Sequence, residues 1–155
     1  MFSDEVVLRI ARRLHERYLE LNGKTVGPSA VAWDALSDET RDSNLSHAAH
    51  IETKLHAIGA EVVPRDAADE QFAFTGAEVE QLAIMEHERW MANRLEHGYE
   101  RGANRTDSTH PDLVAWERLS AEARKKDIDF VVYIPKLLAD CGFGIRRTEG
   151  APPAR

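Results

Sequence analysis

Cysteine is almost absent from this chain. Cys141 is its one copy in 155 residues, which excludes an intramolecular disulfide and a cysteine-cluster zinc site. Long apolar runs are missing as well, and none approaches the ~20 residues of a membrane span. Basic residues are outnumbered, with 20 Lys and Arg against 27 Asp and Glu and a formal net charge of −7. An unspecific grip on a nucleic-acid polymer or an anionic membrane needs a positive face, so neither is an expected partner. The opening Met1-Phe2-Ser3-Asp4-Glu5 lacks a basic n-region and a long h-region, so no secretory signal is read there. There is no G-x-S-x-G and no Walker loop, and Gly142-x-Gly144 lacks a third glycine. What is left is an acidic globular chain, expected to be cytoplasmic. Its length suits one domain or two small ones.

What is present is a repeat. Ile10–Tyr18 reads against Leu82–Trp90, with His15-Glu16-Arg17 over His87-Glu88-Arg89, 72 positions apart. Ala30–Arg41 reads against Leu113–Arg124, with Trp33 over Trp116 and Ser37 over Ser120, 83 positions apart. The second copy therefore carries 11 more residues between Trp90 and Trp116. The segments are residues 1–63 as a first, degenerate repeat, 64–74 as a linker, 75–147 as a second repeat, and 148–155 as a tail expected to be disordered.

Each repeat reads as helix, long connection, helix and short extended segment. Val7, Ile10, Leu14, Tyr18 and Leu21 recur at helical spacing. Ser37 and Ser120 suit N-caps, Thr75-x-x-Glu78 suits a capping box, and Gly59 and Gly142 suit left-handed helix ends. Glu61–Val63 and Phe143–Ile145 read as strands. Pro135 is expected to break or kink the last helix near Tyr133. The fold class is thus mainly α with short antiparallel β-strands. Two helix-loop-helix-strand repeats are expected, related by a pseudo-twofold with a cleft between them. Trp33 and Trp116 are expected in equivalent, largely buried places.

Metal and nucleophile chemistry find little support. His15-Glu16 and His87-Glu88 lack the second histidine of a zinc-protease motif, since Leu19 and Met91 occupy those places. His47-x-x-His50 is the remaining helical pair, and its ordinary reading is solvated histidine. Cys141 reads as a small core residue. No metal and no cofactor is expected.

The third helix is more informative. Ile84, Met91 and Leu95 form an apolar stripe. Trp90 points away from it, among Ala83, Glu86, His87, Asn93, Arg94 and His97. A tryptophan ringed by polar groups makes a stacking platform, and Arg94 one turn on can meet an anion. The inserted loop adds Tyr99 and Arg101 between Gly98 and Gly102, then Arg105 and Asp107. The alternative for Trp90 is a packing role, and for the loop a solvated one with internal salt bridges.

Taken together, His87-Glu88-Arg89-Trp90, Gly98-Tyr99-x-x-Gly102, Arg105-x-Asp107, His110-Pro111-x-Leu113-Val114-x-Trp116 and Leu119-Ser120 resemble the ryanodine-receptor repeat, the RyR domain. The likeness runs from about Glu78 to Ile145. The first repeat has Tyr18 where the family usually has tryptophan. The resemblance implies a helical fold of paired repeats that binds nucleotide-like ligands between them. It implies Trp90 and Tyr18 as stacking walls and Arg94 as their charged partner. It further implies a sensor or sequestering protein for a nucleotide-derived signal, cyclic or of ADP-ribose type, of the kind found in antiviral defence. The site set is then Trp90, Arg94, Tyr18, Tyr99, Arg101, Arg105, His87 and Asp107. The partners are a nucleotide-like small molecule and a second copy of the chain or an effector protein. No catalysis is expected. Two other classes stay open: a protein-interaction or oligomerisation module without a small ligand, and an enzyme degrading a nucleotide signal with His87 or His110 as acid or base.

Overall fold

The computed structural model describes residues 2–22, 30–106 and 108–148. These are mainly helical. The helices are α1 (Asp4–Asn22), α2 (Asp38–Ala57), α3 (Gly76–Glu96) and α4 (Ala121–Asp140). The strands are β1 (Ala60–Pro64), β2 (Glu100–Arg101), β3 (Thr109–His110) and β4 (Phe143–Arg147). The expected tail, apart from Thr148, lies outside the described residues. No described helix is long and apolar enough to cross a membrane.

The helix ends follow local chemistry. The Ser37 hydroxyl accepts from the Thr40 N–H and starts α2. Thr75 and Glu78 form a reciprocal capping box at α3. The Ala123 N–H donates to Ser120 Oγ, 3.1 Å away, at the start of α4. Each device satisfies N–H groups that a helix start leaves without intrahelical partners. Gly59 and Gly142 take left-handed φ values of 70° and 92° just past α2 and α4, where a side chain would be strained.

The described residues fall into two compact units. One comprises those up to Phe72 together with those from Ile134 onward; the other is Ala73–Tyr133. These units are not the sequence segments, because β4 and the end of α4 group with the residues before Phe72. The reason is pairing. In that unit β1 and β4 are antiparallel, with Val62 opposite Ile145 and Pro64 opposite Phe143. Residues 65–69 follow β1 and run along β4, where the Asp69 N–H donates to the Ile145 carbonyl at 3.0 Å. The approach is so close that a Cβ on Gly144 would stand 2.3 Å from the Cβ of Ala68. The core of this unit includes Ile10, Ala11 and Leu14 from α1 and Ala48, Ile51 and Leu55 from α2. Lys54 is also fully buried, and its Nζ lies 2.8 Å from His50 Nδ1.

Three sequence expectations are corrected. The apolar face of α1 does not extend to its end, since Tyr18 is 38% and Leu21 68% exposed. Periodicity marks the face but not where its packing partner stops. Pro135 does not break α4, which continues to Asp140. Proline removes one backbone donor there, but Val131, Ile134, Leu137 and Leu138 around it are completely buried, and tertiary burial outweighs local propensity. Trp33 is half-buried, whereas Trp116 is buried.

One pair of contacts corresponds between the two sequence copies. His15 Nε2–H donates to the Val31 carbonyl oxygen at 2.5 Å, and His87 Nε2–H to the Val114 carbonyl oxygen at 2.6 Å. A carbonyl can only accept, so the proton in each case sits on Nε2. Each bond ties the unit's first helix to the segment before a 3-10 turn that opens on tryptophan, Trp33 or Trp116. The histidine–tryptophan ring centroids are 6.3 Å and 6.2 Å apart.

Candidate ligand site

The inner face of α3 differs from the one its apolar stripe indicates. Leu95 is 60% exposed, and Ile84 and Met91 are half-buried. The buried residues are Leu82 and Ala83 together with Glu78, Glu86, His87 and Asn93. Glu78 is held by Thr75 in the capping box. Glu86 accepts a two-pronged bond from Arg89, with both N···O distances 2.9 Å, a strong geometry for a guanidinium and a carboxylate. His87 is held by Val114. Trp90 lies on this inner side, half-buried as Ile84 and Met91 are, and of the aliphatic stripe Leu95 alone is exposed.

Trp90 is fixed by two imidazoles. It stacks on His87 at 5.8 Å with an interplanar angle of 21°. It meets His110 almost perpendicularly, at 4.8 Å and 77°, a favoured arrangement for aromatic rings. His110 arrives from the inserted loop, which is held by its own hydrogen bonds. Gly98, at φ 82°, ends α3. The chain then forms β2 and β3, a two-residue parallel pairing with Arg101 opposite His110, which no sequence signal announced. Gly102 is required by close approach, since a Cβ there would stand 2.7 Å from that of Thr109. Thr109 Oγ1 donates to the Asn104 carbonyl at 2.8 Å and lies 2.6 Å from Thr106 Oγ1.

Between α3, this loop and α4 is a cavity of about 200 Å³. His87 and Trp90 line it from α3, and Arg105, His110 and Asp112 from the loop. Leu119 closes one side, and α4 contributes Ala123, Lys126 and Asp127. All belong to the Ala73–Tyr133 unit. The Asp112 N–H donates to His110 Nδ1 at 3.1 Å, so Nδ1 carries a lone pair and the ring proton is on Nε2. Burial, then the charge of Arg105, hold the His110 pKa below its ordinary value; Lys126 and Arg94 act the same way and Asp112 opposes them. His87 Nδ1 lies 3.9 Å from the Asp127 carboxylate.

Residues 75–147 match the family model of the RyR domain. This segment is an RyR domain. No curated protein matches the chain.

Of the eight candidate site residues, the RyR domain brings His87, Trp90 and Arg105 together around the cavity. Arg94 sits on the ring of Tyr99, 5.2 Å from its centroid, in a cation–π contact. Its charge reaches His110, although Arg94 does not line the cavity. Arg101 is exposed on β2. Tyr18 belongs to the other compact unit, where it stacks on His15 at 6.0 Å. Asp107 lies outside the described residues. Sequence reasoning missed Asp112, Leu119, Ala123, Lys126 and Asp127 as lining groups. Asp112 follows the His110-Pro111 pair and was within reach of the motif. Lys126 and Asp127 sit on an ordinary charged helix face that carries no such signal. Elsewhere, burial raises the Cys141 thiol above its usual pKa, away from the thiolate that nucleophilic chemistry needs. Among the described residues no group of three or more His, Cys, Asp or Glu is placed to hold a metal ion.

Proposed function

We propose that the chain is a non-enzymatic sensor or sequestering module for a nucleotide-derived small molecule, and that the RyR-domain cavity is its contact point. The observation that carries this reading is the half-buried Trp90 lining a cavity together with Arg105 and Lys126. An aromatic surface beside guanidinium and ammonium groups suits a ligand that is flat or ring-shaped at one part and anionic at another. Both cavity histidines commit one ring nitrogen to backbone, which fixes their tautomers and orientation beside Trp90. His87 gives Nε2 to Val114, and His110 gives Nδ1 to the Asp112 N–H. The same proposal takes the ligand to be a cyclic-nucleotide or ADP-ribose-type signal of antiviral defence.

A thermal-shift panel of linear and cyclic nucleotides and ADP-ribose tests it. A ligand at 100 times its dissociation constant stabilises by about 2.7 kcal/mol. Trp90→Ala should fold, since the fully buried Leu82 and Ala83 remain, and should weaken binding roughly 5- to 150-fold. A panel without any stabilising member, or a Trp90→Ala protein that binds as before, overturns the proposal. In the first case a protein-interaction role takes its place.

A further inference from the structure

His110 meets Asp112 twice at the same ring atom. The Asp112 N–H donates to Nδ1 at 3.1 Å, and the Asp112 carboxylate stands 3.9 Å from that nitrogen. A protonated imidazole carries hydrogen at Nδ1 and can no longer accept there. One residue therefore offers a donor to the neutral ring and an acceptor to the charged one. The surrounding charges choose between these states. Arg105 from the loop, Lys126 from α4 and Arg94 from α3 oppose protonation together with burial, and Asp112 favours it. His87 and Asp127 are the cavity's other titratable groups, and the Asp127 carboxylate lies towards His87, 3.9 Å from its Nδ1. Arg105 and Lys126 are exposed cavity walls, and among the described residues neither has a carboxylate partner.

Resting on the proposed function, with a base on Trp90, we infer that the ligand's anionic group enters between Arg105 and Lys126 beside His110, and that its entry draws a proton from solvent onto that ring. The site then binds an anion and a proton together. The added proton sits on Nδ1 and exchanges the Asp112 N–H for the Asp112 carboxylate. An anion between two unpaired cations offsets the charges that keep the ring neutral. The coupling is reciprocal: whatever factor the anion contributes to protonation, the proton contributes to anion binding. Capture is therefore tighter in acid. For an anion of fixed charge, the protein alone supplies that dependence.

Sulfate, cyclic AMP and adenosine, added to the full chain, test the inference. Sulfate and the phosphodiester of cyclic AMP keep their charge between about pH 5 and 8, whereas adenosine is neutral there. At an ionic strength held constant with chloride, each anion should raise the NMR titration midpoint of His110 by about 1 pH unit. Adenosine should not raise it. Cyclic AMP should bind roughly 5- to 10-fold tighter at about pH 5 than at pH 8. His110→Gln should flatten that dependence. Asp112→Asn keeps the N–H but removes the charged acceptor, and should reduce the rise in midpoint. Where cyclic AMP does not bind, sulfate alone decides. A His110 midpoint that neither anion moves overturns the inference, as does the same pH dependence of cyclic AMP binding in wild type and His110→Gln. If nucleotides of the thermal-shift panel still bind through Trp90 in that case, the proposed function stands. If sulfate moves His110 but no nucleotide binds, the coupled anion site stands and the proposed function falls.

Discussion

His87 and Val114 are joined by a 2.6 Å hydrogen bond from imidazole Nε2–H to a main-chain carbonyl. The bond crosses 27 residues of sequence and secures the segment that leads into the buried Trp116. The same imidazole carries Trp90 on its face. One side chain therefore anchors a loop and orients the candidate binding surface.

His87→Ala leaves the Val114 carbonyl without this donor and should cost about 1–3 kcal/mol. Urea denaturation measures it. His15→Ala should show a similar loss through Val31, as expected if the two bonds are one device used twice. Wild-type stability in both variants would remove the anchoring role.

The outward face of α3 makes a sharp contrast. Leu95→Glu, at a site 60% exposed, should change stability by no more than about 0.5 kcal/mol. Leu82→Ala, fully buried, should cost about 2–5 kcal/mol. Comparable losses in a melting experiment would restore the aliphatic stripe as the packing face.

Acidification should destabilise the protein through His110. Its folded pKa lies below the unfolded value of about 6.5, because burial and then Arg105 disfavour the charged ring. Between the two values the unfolded chain binds more protons, so stability rises with pH there. The contribution is complete above about pH 6.5 and is lost as the pH falls through the folded value. His110→Gln, which does not titrate, should give a flatter urea midpoint between about pH 7.5 and 5. Equal slopes in variant and wild type would contradict this.

Gly144→Ala should destabilise by about 1–3 kcal/mol through overpacking, because the new Cβ meets that of Ala68 at 2.3 Å. Ala68→Gly in the same molecule should recover part of the loss. A double-mutant cycle with additive effects would show that the two positions do not press on each other.

Helix boundaries could be read from sequence because their causes are local. Ser37, Thr75, Glu78 and Ser120 satisfy N–H groups within three residues, and Gly59 and Gly142 supply left-handed backbone where each helix stops. The motif also carried Trp90, His87 and Arg105 to the cavity. The inner face of α3 was decided only by tertiary structure. Glu86 and His87 can be buried because Arg89 and Val114 satisfy them, and a hydrophobic pattern does not register such pairings. The antiparallel union of β1 with β4 joins positions 79 to 87 residues apart, in a register that only the folded chain sets. Lys126 and Asp127 became cavity walls for the same reason: their surroundings are set by where α4 packs. Capping is a property of neighbours in sequence, whereas burial of a polar face depends on partners that only the folded chain brings within hydrogen-bonding distance.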